Sequence, residues 1–225
     1  MYSSRPAPTL EQLNRLCHDG EWQRGPRTTL PSGFAQLDAS LPGGGWPMGA
    51  LCELMPATPG IGELSLLAPA LSRLAGAGRQ LVFIEPPYLP YAPALAQQGL
   101  PLERLLIVKT SGIQETLWAA EQALRCPAVG AVLSWPAHIT DRNVRRLQLA
   151  AEAGSSLGIL YRPTEAEREH SPAALRLRLQ SVPGASALAV DIRKCRGGRA
   201  GIHLQLPLSQ PHDALAVHPF AAAGT

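Results

Sequence analysis

The chain has 225 residues, 45% of them hydrophobic, which is enough to build one sizeable core. Its formal net charge of +3 comes with 18 arginines and 2 lysines, and this mild excess does not by itself indicate a nucleic-acid-binding protein. Cys17, Cys52, Cys126 and Cys195 form no CxxC pair and have no histidine at ligand spacing, so the sequence favours neither a zinc site nor a disulfide framework.

Residues 1–26 are predicted to form an amphipathic helix over residues 9–17 and a polar linker. A helix this short is not stable alone in water, so it packs back on the core or docks on a partner, and packing back is favoured. The chain opens without a signal-peptide core, and no apolar run reaches the roughly 20 residues that a membrane helix needs. We therefore expect a cytoplasmic protein without membrane contact.

The most informative stretch is the segment after a predicted strand at residues 51–54, where a phosphate-binding loop would lie before a helix. Such a loop needs inward N–H groups, a lysine and a hydroxyl for magnesium. Pro56 and Pro59 have no N–H, and no lysine or arginine occurs between Met48 and Ser72. Glu63, in the predicted first helical turn, already satisfies the positive end of the helix dipole. We predict a degenerate nucleotide loop, with no cofactor and no metal, made of Met55, Pro56, Ala57, Thr58, Pro59, Gly60, Ile61, Gly62 and Glu63.

Four further apolar runs, at residues 79–85, 105–108, 128–133 and 157–161, alternate with helical patterns at 64–77, 91–98, 113–126 and 141–153. Near-continuous apolar strands separated by helices are typical of a parallel sheet that is covered on both faces. We predict an α/β fold.

From Ala174 onward the pattern changes to alternation, at residues 175–179, 187–193 and 201–206. Alternation predicts strands with one solvated face, which should pair antiparallel, and the glycine-rich residues 195–199 predict a hairpin turn. The core domain is predicted to span residues 27–206, and the proline-containing residues 207–225 are predicted to be a flexible tail.

Over residues 27–206 the chain resembles the ATPase core of RecA-type recombinases, and within that superfamily it resembles the ImuA family of translesion-synthesis accessory proteins. The resemblance rests on LPSGFAQLDASL at 30–41, on the ImuA-like PPYLPYAPAL at 86–95 and on LAVDIRKCRGGRAGIHLQL at 188–206. It implies a RecA-like, mainly parallel sheet flanked by helices, with a C-terminal antiparallel hairpin extension.

The same resemblance identifies departures at catalytic positions. Pro86 and Pro87 stand where the recombinases carry the glutamate that polarises water, and Ser134 and Trp135 stand where a Walker-B aspartate would hold the metal. Glu85 is adjacent, but its register fits a strand end. Since the loop lysine and the magnesium hydroxyl are also missing, we expect a pseudo-ATPase without catalytic residues.

Three groups of residues are candidate contacts. Arginines at helical i, i+3, i+4 spacing form either a solvated face or a contact for DNA or an acidic partner, and they are Arg142, Arg145 and Arg146. Cations around the last hairpin, where self-repulsion favours a polyanionic partner, are Arg193, Lys194, Arg196 and Arg199. Tyr88 and Tyr91 either anchor a protein partner or cap the sheet, whereas Trp118 and Trp135 are interpreted as packing residues.

The ImuA resemblance implies a non-catalytic adaptor of SOS-induced translesion synthesis and mutagenesis. Its implied partners are an ImuB-like Y-family polymerase homologue, an error-prone replicative polymerase and, as a third candidate, RecA itself. The alternative is a SulA-like inhibitor that binds the tubulin-like division protein, although this chain is long for that branch. A divergent ATPase is the remaining hypothesis.

Overall fold

The computed structural model describes residues 29–136 and 138–208, together with the backbone of residues 218–219. The predicted helix at residues 9–17 and most of the predicted tail lie outside the described residues.

Five α-helices are described, and they are α1 (Ala35–Ser40), α2 (Glu63–Gly76), α3 (Ala92–Gln97), α4 (Ile113–Arg125) and α5 (Asp141–Gly154). Short 3₁₀ turns occupy Leu102–Arg104 and Thr164–Arg168. The strands are β1 (Thr29–Leu30), β2 (Trp46–Pro47), β3 (Ala50–Pro56), β4 (Gln80–Ile84), β5 (Tyr88–Leu89), β6 (Leu105–Val108), β7 (Val129–Ser134), β8 (Leu157–Tyr161), β9 (Leu175–Ser181), β10 (Ala187–Cys195), β11 (Ile202–Pro207) and β12 (His218–Pro219).

One eight-stranded sheet organises the molecule, in the order β11-β10-β9-β3-β8-β7-β4-β6. The six strands from β9 to β6 are mutually parallel, whereas β10 runs antiparallel to both β9 and β11. Helices cover both faces of the parallel strands, so residues on both faces are buried. This burial is why these strands are nearly continuous apolar runs in the sequence. The predicted α/β fold and its antiparallel hairpin extension are confirmed.

Two apolar clusters lie on opposite faces of the sheet. On one face Leu66 and Leu71 of α2 pack with Phe83 of β4. On the other, Leu117 of α4 and Leu147 of α5 cover the second cluster. No described helix is long and apolar enough to cross a membrane.

Strand β9 differs from the sequence prediction. It pairs parallel with β3, in the register Glu53 to Arg176, and antiparallel only with β10. Its expected solvated face is closed at Arg176, which is only 6% exposed, whereas the Arg178 side chain on the same face is 37% exposed. Arg176 is buried because the carboxylate of Glu53 pairs with it inside the fold. The alternation in β9 therefore marks a paired buried charge.

Candidate functional site

The degenerate nucleotide loop leaves the carboxyl end of β3 and leads into α2. As the sequence predicts, Glu63 lies in the first turn of α2, and it is the first residue of that helix. Its Oε1 accepts a hydrogen bond of 2.9 Å from the backbone N–H of Gly60. The carboxylate thus occupies an N–H group that a phosphate would use and neutralises the positive end of the helix.

The start of α2 is also covered by an apolar side chain. Gly62 has φ of 102°, and a Cβ at this position would lie 2.3 Å from Cδ1 of Leu208. Leu208 is buried, and its N–H donates to the carbonyl of Ser186 at 2.9 Å. The described core therefore extends to Leu208, a residue that sequence reasoning assigned to the flexible tail.

Trp135 occupies the centre of the carboxyl edge of the sheet, directly after β7. Its ring stacks on Tyr161 with centroids 4.4 Å apart and planes 3° apart. It also contacts the edge of Phe83 at 5.8 Å. Ser134 beside it is buried. Sequence reasoning treated Trp135 as a packing residue, but its place after a parallel strand is where α/β proteins position ligands.

The carboxylate of Glu85 is bonded to the residues that follow β6. The Glu85 backbone adopts φ of 52°, and its Oε2 lies 3.5 Å from Nζ of Lys109. Its Oε1 accepts from the backbone N–H of Thr110. The carboxylate is therefore tied to the end of β6, which agrees with the expectation that Glu85 terminates its strand.

A hollow lies around Trp135, and we call it the Trp135 hollow. Towards β8 it is lined by Pro56, Ala57, Pro59, Glu63, Pro87, Trp135, Pro136, Tyr161, Arg162, Pro163, Thr164 and Glu165. Towards α3 it continues along Leu64, Pro86, Tyr88, Leu89, Pro90 and Tyr91. Tyr88, Leu89 and Tyr91 form an apolar rim, with exposed fractions of 37%, 47% and 40%. The backbone of β12 pairs antiparallel with Tyr88 and Leu89 at this rim.

Two oxygens at this hollow have no hydrogen-bond partner among the described residues. They are Oε2 of Glu63 and Oη of Tyr161, and both atoms are buried. Burial raises the pKa of Tyr161 well above its ordinary value, and the Glu63 carboxylate raises it further. Within the described residues, no group of three or more histidine, cysteine or carboxylate side chains could hold a metal ion.

A buried charge cluster supports the wall of the hollow. Glu53 is fully buried, its Oε2 accepts from Nε of Arg176 at 2.6 Å, and its Oε1 accepts from Oγ of Ser171 at 2.7 Å. Nη1 of Arg162 lies 3.3 Å from the same Oε1, and its Nη2 lies 2.6 Å from Glu169. Sequence reasoning missed this cluster, although a glutamate in an apolar strand was a signal for it.

The three candidate arginines of α5 differ in their contacts. Arg142 and Arg145 are exposed on one helical face, as predicted. Arg146 is also exposed, but its Nε pairs with Oε2 of Glu121 on α4 at 2.8 Å. One of the three predicted contacts thus joins two helices of the fold.

Three of the four cations around the last hairpin have partners in the fold, although burial and then the neighbouring Arg196 lower the pKa of Lys194. Arg193 pairs with Glu167, Lys194 donates to the carbonyl of Ser171, and Arg196 donates to the carbonyl of Pro172. The acidic segment after β8 supplies these partners, and this packing explains why the cations are tolerated together. Arg199 lies exposed in the turn.

Comparison with known proteins gives two results. Residues 49–158 match the family model described as "Cell division inhibitor SulA". The chain is 35% identical over 103 residues to a protein of that name from Edwardsiella piscicida, and 29% identical over 117 residues to one from Photorhabdus laumondii. The match spans 61% and 66% of those proteins and 45% and 52% of this chain.

Among solved structures, the RadB recombinase is similar with a TM-score of 0.62 at 16% identity. The likeness covers 78% of this chain and 94% of that chain, and it concerns the fold alone. The chain therefore has a RecA-like fold whose central segment is similar in sequence to the SulA family.

Proposed function

We propose that this chain is a non-catalytic RecA-like protein that acts in the bacterial cytoplasm by binding other proteins during the response to DNA damage. One observation carries the proposal, namely the Glu63 carboxylate bonded to the N–H of Gly60 at the first turn of α2. An arriving phosphate meets a negative charge and an occupied N–H in a loop that has no lysine or arginine.

The apolar rim of the Trp135 hollow supports a binding role. Tyr88 and Tyr91 are exposed beside Leu89, and proline residues stiffen the segment that carries them. Aromatic residues are enriched in the centres of protein interfaces because they bury a large area with few rotatable bonds. The rim is accordingly the surface that we assign to a protein partner.

Of two specific roles, inhibition of cell division receives the more direct support. The family model that matches residues 49–158 and the similar proteins carry that role in their names, and the segment matched by the model includes the degenerate loop and Trp135. In this role the chain would bind the tubulin-like division protein.

The second candidate role is that of an adaptor in translesion synthesis. It is favoured by β9, β10 and β11, which widen the sheet and lie outside the segment matched to SulA. The ImuA-like PPYLPYAPAL stretch, which contains the rim tyrosines, favours the same role. The partners would be the ImuB-like polymerase homologue, an error-prone replicative polymerase or RecA.

The deciding experiment is a pull-down with the purified chain against the tubulin-like division protein, the ImuB-like protein and RecA, with and without ATP. Nucleotide-independent capture of one of them supports the proposal and selects the role. Capture that requires ATP contradicts the non-catalytic proposal. Overproduction supplies the matching cellular test, since a division inhibitor makes cells filament and a translesion factor changes damage-induced mutation without blocking division.

A further inference from the structure

The strongest unexplained feature of the molecule is a pair of buried, unpartnered oxygens beside one hollow. Tyr161 is 5% exposed, and within the part of the chain that the structure describes neither its hydroxyl nor Oε2 of Glu63 has a hydrogen-bond partner. A buried polar atom left without a hydrogen bond destabilises the folded state, and more so when the group is charged. A site that keeps two of them is suited to a ligand that donates hydrogen bonds.

The charges at this hollow select the sign of that ligand. Glu63 and Glu165 contribute carboxylates, and Arg162 is the one cation among the described lining residues. The Arg162 guanidinium is already paired with Glu53 and Glu169. The remaining field is negative, so a cation is attracted and a phosphate is repelled.

The walls select the shape of the ligand. Trp135 and several prolines form an apolar lining, and the part of the hollow beside Tyr161 has a volume of about 410 Å³. An arginine side chain matches this combination, because its planar guanidinium stacks on aromatic rings and presents five donors, while its aliphatic stem covers apolar surface. The terminal torsion of a glutamate is soft, so the Glu63 carboxylate can turn towards an incoming donor.

We propose that the Trp135 hollow binds an arginine side chain of a protein partner, with Glu63 and Tyr161 as hydrogen-bond acceptors and Trp135 as the stacking surface. This inference rests on the proposed protein-binding function and specifies its chemistry. The hollow thus recognises a charge opposite to that of a nucleotide phosphate.

The test uses N-acetyl-arginine amide as the probe and the indole N–H resonance of Trp135, assigned with Trp135→Phe. The expected result is a saturable shift of this resonance with the arginine probe and none with its neutral citrulline analogue. Glu63→Gln keeps the size of the side chain and should weaken binding about tenfold, since hydrogen bonds to charged groups are the strong ones. Glu103→Gln, at an exposed carboxylate outside the hollow, is the matched control and should leave the affinity unchanged.

Equal shifts with arginine and citrulline, equal affinity in Glu63→Gln, or no saturable shift would each overturn the inference. Failure of the proposed function is read separately, from the pull-down. A captured partner whose affinity is unaffected by Glu63→Gln leaves the adaptor role intact and removes the arginine site. A bound arginine probe without any captured partner supports the arginine site and contradicts the proposed binding of these partners.

Discussion

The buried Glu53 cluster offers the sharpest test of how the site is supported. Glu53 holds Arg176 and Arg162, whose side chains are each 7% exposed, and the Ser171 hydroxyl. Glu53→Ala removes the only carboxylate paired with Arg176 among the described residues, and it leaves Arg162 with Glu169 alone. Breaking a buried ion pair from one side costs about 3–5 kcal/mol, because the remaining charge is left uncompensated.

We therefore expect Glu53→Ala to lower the free energy of unfolding by about 3–5 kcal/mol in urea titrations. For a chain of this size, the corresponding fall in Tm is about 6–20 °C. The matched control is Glu103→Ala, at an exposed carboxylate, which should change stability by less than about 0.5 kcal/mol.

A double variant separates charge from packing. Arg176→Met alone leaves Glu53 with Arg162 and Ser171, and Glu53→Leu combined with Arg176→Met removes both members of the closest pair. Buried pairs are often replaceable by apolar residues. The double variant should therefore lower the free energy of unfolding by at least about 2 kcal/mol less than the sum of the losses in Glu53→Leu and Arg176→Met, each measured alone. A loss below about 1 kcal/mol for Glu53→Ala, or strict additivity in the double variant, would refute the reasoning.

Three further outcomes are expected. Trp135→Ala removes the contacts to Tyr161 and Phe83 and should lower the free energy of unfolding in urea by about 2–4 kcal/mol. The control Trp118→Ala, at a residue 39% exposed, should lower it by less than about 1 kcal/mol. Equal losses would contradict a central packing role for Trp135. Magnesium ATP should leave Tm unchanged within about 1 °C, while ligand at a thousand times its Kd stabilises by about 4 kcal/mol, so a saturable rise would disprove the proposed loss of nucleotide binding. Because the folded pKa of Tyr161 is raised above 10.0, the unfolded state loses the phenolic proton first, and stability should fall as pH rises through that value. Tyr161→Phe should reduce the slope of the free energy of unfolding against pH by up to about 1.4 kcal/mol per pH unit, as measured by urea titration at each pH. An unchanged slope would show that the hydroxyl is not buried.

The parallel sheet was predictable from sequence because four of its strands, β4, β6, β7 and β8, are nearly continuous apolar runs. The apolar runs at β4, β7 and β8 indicate that both faces of these strands are buried. Strand β9 follows a different rule, since Arg176 is buried by a partner 123 residues away in the sequence. Local alternation carries no information about such a distant carboxylate, so the pattern predicts a solvated face.

The hairpin cations illustrate the same limit. Counted along the chain, Arg193 has only Asp191 nearby, and repulsion is the natural prediction. In the fold, the acidic turn after β8 places Glu167 against Arg193. Glu167 of this turn therefore helps to hold the hairpin in place.

The degenerate loop was predictable in more detail because its defects are local. A missing N–H at Pro56 or Pro59 and a carboxylate at Glu63 are properties of single residues. What the sequence could not provide is their connection to the rest of the site, namely Leu208 over Gly62 and the stacking of Trp135 on Tyr161. These contacts join segments that are far apart in the chain.

Restoring a nucleotide site would consequently require several simultaneous changes. In the GxxxxGK[ST] pattern the lysine would stand at Ile61 and the magnesium hydroxyl at Gly62. A side chain at Gly62 would need φ of 102°, which side chains rarely adopt, and its Cβ would collide with Leu208. Even without that collision, Glu63 would remain bonded to Gly60 and pair with the new cation. Any single substitution would therefore leave at least one of these defects in place. If the proposed arginine site exists, the carboxyl edge of this sheet binds a positive charge in a position where RecA-type ATPases would bind a phosphate.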